Sequence, residues 1–276
     1  MKRVVVLGDV IEDIIVISDS ARQLNTDNPS EISSKPGGSG ANFAVWLASL
    51  GVEVELVARV GASDRARLTN YFETKFVIAK LEPDENLHTG KIVVLVEGNN
   101  RTFFTDRGAN EGLTAKSADL SKTDVLYLSG YAVMSMGIQR TQELIEKAGS
   151  VGVLVAVDPG SKSFIGQFGA AEFLEAISGS DFIFPNADEY ELLSRHANLQ
   201  ELFPEVIVTS GEEGAEVLGI AKSPAFEVEV VDSTGAGDAF AAKYLAQRLA
   251  GLEVEDALRD ANAFAAQAVT KPGGQP

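Results

Sequence analysis

The residues best placed to do chemistry are Gly235, Ala236, Gly237 and Asp238, inside the run Val231-Asp232-Ser233-Thr234-Gly235-Ala236-Gly237-Asp238-Ala239-Phe240. After Asp238 the apolar residues Phe240, Tyr244, Leu245 and Leu249 recur at the spacing of one helix face. The run therefore opens a helix, whose first backbone N–H groups lack partners within it and favour negative charge. Gly235 and Gly237 let that backbone approach a phosphate with no side chain between, so that successive N–H groups form a nest around it. A carboxylate beside a phosphate is repulsive, so Asp238 needs a task of its own. Taking the proton of an attacking hydroxyl is one such task. Capping the helix is the other, the glycines then serving only a tight turn. The helix dipole predicts an ionised, weakly basic Asp238.

The elements that would position this run read as alternating strands and helices. Residues 4–7 form a continuous apolar run ending in Gly8-Asp9, the pattern of a buried strand in a mostly parallel sheet. Val10-Ile11-Glu12-Asp13 follows in place of G-x-G-x-x-G, which argues against a dinucleotide-binding dehydrogenase. Residues 14–17 and the stretch around Ile32 predict short strands. Residues 91–96 and 102–105 predict a hairpin turning at Gly98-Asn99-Asn100-Arg101, and together these make a small lid. Gly37-Gly38-Ser39-Gly40 precedes a helix with Phe43, Trp46, Leu47 and Leu50 on one face, and either binds phosphate or reverses the chain. Residues 54–60 predict a strand and 65–72 a short helix. Residues 125–128, 137–149 and 153–157 read as strand, helix, strand. Residues 182–184 lead to Asn186 and Glu189, three apart on a helical face, where they suit either water-mediated magnesium binding or a capping box. Residues 206–209 and 225–231 read as further strands, the first ending in the turn from Ser210 to Gly214.

Composition narrows the partners. With 23 basic and 40 acidic residues, net charge −17, the chain lacks the basic surface that nucleic acid or an anionic membrane needs. The absence of cysteine excludes disulfides and thiolate chemistry. The N-terminal apolar run is too short for a signal peptide or membrane span, so a cytoplasmic protein is expected. His88 and His196 have no ligand-spaced partners, which argues against a histidine metal site.

The ten-residue run around Asp238 resembles the C-terminal signature of the ribokinase-like, or PfkB, family of carbohydrate and nucleoside kinases, and the resemblance spans essentially the whole chain. It implies a three-layer α/β/α fold with a mostly parallel central sheet, one domain over residues 1–276, and a β lid from about 11–35 and 88–108. By that resemblance Asp238 is the base and Gly235, Ala236 and Gly237 form the anion hole for ATP-dependent transfer to a hydroxyl of a small sugar or sugar acid. Asp13, Gly38, Asn42 and Arg107 would meet the acceptor, and Asn186, Thr209, Gly211 and Gly214 the nucleotide. Glu189 would organise Mg2+ through water, and Asp232 and Thr234 would lie at a monovalent cation such as K+, in a loop that this chain carries only as far as Gln275-Pro276. Dimerisation through the lid is a further implication. At Gly61-Ala62-Ser63-Asp64 the chain departs from the family's Gly-Asp-Asp pattern. A nucleoside kinase and a non-catalytic sugar- or nucleotide-binding regulator are the alternative readings.

Overall fold

The computed structural model describes residues 2–18, 22–97, 100–271 and 273–276, and the main chain only of Asn100 and Arg101. The hairpin turn at Gly98-Asn99 and Pro272 of the terminal loop lie outside the described residues. In chain order the elements are β1 (Arg3–Leu7), β2 (Ile11–Ser18), β3 (Ser30–Gly37), α1 (Ser39–Ser49), β4 (Glu53–Gly61), α2 (Arg65–Thr74), β5 (Val77–Asp84), β6 (Gly90–Glu97) and β7 (Asn100–Asp106). There follow β8 (Val125–Ser129), α3 (Gly130–Met136), α4 (Ile138–Ser150), β9 (Leu154–Asp158), α5 (Lys162–Phe168), α6 (Ala170–Ala176), β10 (Phe182–Ile183), α7 (Ala187–Ser194) and α8 (Leu199–Leu202). The chain continues through β11 (Glu205–Thr209), β12 (Ala215–Val217), β13 (Ala221–Ser223), α9 (Ala236–Leu249) and α10 (Val254–Ala268).

An unbroken apolar strand must be covered on both faces. In β1, Val4 and Val6 point into one core and Val5 and Leu7 into the other. The first core is closed by side chains of α1, α2, α9 and α10, the second by those of α3 to α8, which gives three layers. The large sheet runs β13-β12-β11-β10-β9-β8-β1-β4-β5, parallel throughout except for β12 and β13. The chain leaves β1 towards β4 and β5 on one side and returns to β8 on the other, so the strand order reverses at β1. Such a reversal opens a crevice beyond the carboxyl ends of the strands. Gly8, Ser129, Asp158 and Thr209 all lie at those ends.

A second sheet, β3-β2-β6-β7, grows from the carboxyl ends of β1 and β5. It pairs β2 antiparallel with β3 and parallel with β6, and β6 antiparallel with β7. Its strands correspond to the two hairpin-like stretches anticipated from sequence. Residues 225–231 differ from expectation: they form no strand, and Phe226, Val228, Val230 and Val231 stand exposed. Pro224, which has no N–H to donate, interrupts the ladder after β13, and the N–H groups of Val231 and Asp232 go instead to Val269 O. Among the described residues no helix is long and apolar enough to cross a membrane.

The site depends on one close approach within this frame. A Cβ on Gly40 would lie 2.4 Å from Gly8 Cα, so the start of α1 can seat against the end of β1 only because both positions are glycine. Asp9 fastens the contact: its Oδ1 accepts from Gly40 N at 3.2 Å and Ser129 Oγ at 3.3 Å. Gly40→Ala is expected to cost about 1–3 kcal/mol by overpacking. In urea unfolding the midpoint should fall with the slope unchanged, and an unchanged midpoint would show that the contact is not this tight.

Candidate active site

The sequence left Asp238 as either a helix cap or a base. The residue capping α9 is Gly235, in the left-handed conformation at φ 72°, and Asp238 makes no capping bond. Its carboxylate turns to α1 instead, where Oδ1 accepts from Ser39 Oγ at 2.9 Å and Oδ2 from Asn42 Nδ2 at 3.1 Å. Only 9% of Asp238 is exposed. Burial pushes its carboxyl well above the usual range, the nearby Asp158 adds to the rise, and the Ser39 and Asn42 donors only partly oppose it. Desolvation thus acts opposite to the helix dipole and makes the carboxyl a stronger proton acceptor.

The two glycines of the run serve different ends. A Cβ on Gly235 would sit 2.6 Å from Gly274 O, so that glycine answers to backbone conformation and packing. A Cβ on Gly237 would meet nothing within 4 Å and would enter open space. That space is a cleft of about 240 Å3 lined by Gly235, Ala236, Gly237 and Asp238 on one side and by Asp158, Asn186, Glu189 and Thr209 on the other. Ser39, Tyr131, Phe184 and Phe240 complete its walls. Among the described residues, three acidic side chains line it and no basic one.

Asn186 caps α7, accepting from Glu189 N at 3.0 Å, while Glu189 Oε2 accepts from Asn186 N at 3.0 Å. The capping-box alternative is therefore realised, and Glu189 still faces the cleft. Burial pushes the Glu189 carboxyl up to about 8, with the charge of Asp158 adding to it. Asp158, held by Gly160 N at 3.0 Å, is pushed up to about 6, chiefly by burial. These groups are acidic and no basic side chain lines the cleft beside them among the described residues, a donor set that fits a hydrated Mg2+. No cluster of three or more His, Cys, Asp or Glu with metal-holding geometry occurs among the described residues.

The pfkB family carbohydrate kinase model matches residues 1–276. The chain belongs to that family. It is therefore a phosphotransferase of the carbohydrate-kinase class. It is 28% identical to ribokinase of Bacillus subtilis, with 100% of this chain and 95% of the relative covered. It is 30% identical to the ATP-dependent ribose-1-phosphate kinase of Halopiger xanaduensis, covering 100% and 94%. Among solved structures it superposes on the Methanocaldococcus jannaschii nucleoside kinase, an archaeal member of the ribokinase family, with a TM-score of 0.86 at 25% identity, covering 100% and 94%.

The remaining candidate residues of this pfkB chain fall outside the cleft wall. Asp13 on β2 lies against Gly37, and burial pushes its carboxyl up to about 6 while Lys35 draws it down. Gly38 caps α1 at φ 102°. Asn42 donates from Nδ2 to Asp238 Oδ2 at 3.1 Å. Arg107 lies over the ring of Tyr131, its Cζ 4.5 Å from the centroid, and its buried Nη1 finds no hydrogen-bond partner among the described residues. Gly211 and Gly214 shape the turn after Thr209, at φ 55° and 97°. Asp232 Oδ1 accepts from Thr234 N and Oγ1, and its Oδ2 from Gly273 N. Sequence reasoning missed Asp9, Ser39, Tyr131 and Asp158. For Asp158 the signal was its position at the carboxyl end of an apolar strand.

The raised carboxyls bear on stability. Between its ordinary 3.8 and about 6, Asp158 keeps a proton in the folded chain that the unfolded chain has lost, so its contribution favours folding at low pH and is lost as pH rises through that window. Asp158→Asn should raise the melting temperature at pH 8 relative to wild type and leave it nearly unchanged at pH 4. Equal shifts at both pH values would contradict the buried, repelled carboxylate.

Proposed function

We propose that the chain moves the γ-phosphoryl group of ATP to a hydroxyl of a small sugar or sugar acid. The observation that carries this reading is the Asp238 carboxylate, buried and oriented by neutral donors from α1 at the edge of a cleft that the α9 N-terminus also enters. Asp238 takes the proton of the acceptor hydroxyl, and its raised proton affinity suits that transfer. The backbone N–H groups of Gly235 and Gly237 steady the phosphoryl group in flight, Ala236 N being engaged by Ser233 O at 3.2 Å, and the open space beside Gly237 is where it would pass. Mg2+ would supply charge neutralisation of the phosphates, which a cleft whose charged lining residues are all acidic needs; Glu189 and Asp158 are the groups that would hold its waters. A site for K+ would have to share the Asp232 carboxylate with Thr234 and Gly273.

Asp13 and Arg107 stand where the small sheet meets the core, so the acceptor would bind between sheet and cleft, with the sheet as a lid that keeps water out. The sheet exposes Ile17 and Phe103 on one face and Ile32 and Phe104 on the other, apolar side chains suited to contact with a second copy. A nucleoside acceptor is the second reading, supported by the likeness to the Methanocaldococcus nucleoside kinase.

Asp238→Asn should fold and bind ATP yet lose about 10²- to 10⁴-fold in turnover. Retention of turnover within a few-fold would remove Asp238 from the base role. Gly237→Val, whose side chain meets open space, should keep the melting temperature and lose turnover. A loss of turnover matched by an equal loss of folded protein would make the turn purely structural.

A further inference from the structure

The segment from Gly273 to Gln275 passes directly behind the catalytic run and is held there by hydrogen bonds to three separate parts of the chain. Gly273 N donates to Asp232 Oδ2 at 2.9 Å, Trp46 Nε1 to Gly274 O at 2.8 Å, and Tyr71 OH to Gln275 Oε1 at 2.7 Å. The glycine at 274 allows the segment to come close: a Cβ there would lie 2.9 Å from Asn42 Nδ2. Gln275 Nε2 then donates to Asn42 Oδ1 at 2.9 Å and to Pro36 O at 3.2 Å.

A carboxamide is nearly symmetric in shape and opposite in polarity at its two ends. Only the N–H end of Asn42 suits the Asp238 carboxylate. Were Asn42 turned over, its oxygen would face that carboxylate and its NH2 would face the NH2 of Gln275, two repulsions in a site where Asn42 is 6% exposed. The hydrogen bonds therefore run in one sense, from Tyr71 to Gln275 to Asn42 to Asp238.

We propose that Gln275 is a positioning residue for the base: its amide fixes the orientation of Asn42 and through it the Asp238 carboxylate. The inference rests on the phosphotransfer reading. It extends the machinery to a residue 37 positions beyond Asp238 that touches neither cleft nor carboxylate, numbered by the sequence itself.

Gln275→Glu tests it, because glutamate keeps the size and reverses the polarity. The carboxylate would draw the N–H of Asn42 towards itself and leave Asn42 Oδ1 against Asp238. The expected result is a fall in kcat of at least about tenfold, as for a misaligned catalytic group. The acid limb of the kcat–pH profile should move to higher pH, since a carboxylate that loses a donor holds its proton more tightly. ATP affinity should stay near wild type. In an Asn42→Ala background the same substitution should have little further effect on kcat, the non-additivity of residues acting through one another. If Gln275→Glu fails to fold, Gln275→Met, close in size and without donors, is scored for the same kcat loss, pH shift and non-additivity. A wild-type kcat and acid limb in the variant, or an equal loss in both backgrounds, would overturn the inference. Wild-type protein without acceptor-dependent phosphoryl transfer would overturn the phosphotransfer reading and take this inference with it.

Discussion

Two hydrogen bonds, from Ser39 Oγ and Asn42 Nδ2 to the Asp238 carboxylate, join the start of α1 to the start of α9 across 199 and 196 residues of chain. They require that both helices begin at one place, and the fold meets that requirement by stacking constraints. The end of β1 lies against Gly40, Asp9 ties that contact to Ser129, and the cap at Gly235 adopts a left-handed backbone against Gly274. A side chain at Gly8, Gly40 or Gly235 would part these surfaces. Gly8, Gly40 and Gly235 serve close approach of backbone to backbone, whereas a Cβ at Gly237 would meet nothing within 4 Å.

The second constraint is charge. Burial raises the carboxyls of Asp158, Glu189 and Asp238, and among the described residues no basic side chain lines the cleft to offset them. An anionic nucleotide entering alone would be repelled. Entering with a divalent cation, it would meet acidic groups able to hold the ion's waters and backbone N–H groups able to hold its phosphates. The same desolvation that costs stability at neutral pH raises the proton affinity that a base needs, so stability and reactivity are coupled through one set of side chains.

Much of this was legible in the residues. Glycines beside a 3.6-residue apolar period located the helix start at Asp238, and the apolar run at residues 4–7 announced a sheet buried on both faces. The match to family signatures supplied what spacing alone left open, above all the choice between cap and base. Asn186 and Glu189 satisfied both of their readings, because one carboxylate closes the capping box and also faces the cleft. The partners of Asp238 were illegible, since no local pattern links residues separated by most of the chain. Residues 225–231 misled through alternation: a strand needs a neighbour to pair with, and Pro224 breaks the ladder before one is reached. Gln275 gave no signal, because its part depends wholly on which side chain the fold brings opposite it.

The central claim is that this cleft transfers phosphate from ATP to a carbon-bound hydroxyl. Incubating the protein with Mg2+, ATP and a panel of sugars, sugar acids, sugar phosphates and nucleosides, and following products by 31P NMR, tests it directly. The account predicts ADP formed in step with a new phosphate ester on a sugar or sugar-acid acceptor. ADP and inorganic phosphate with every acceptor alike, or no ATP consumption with any, would contradict it.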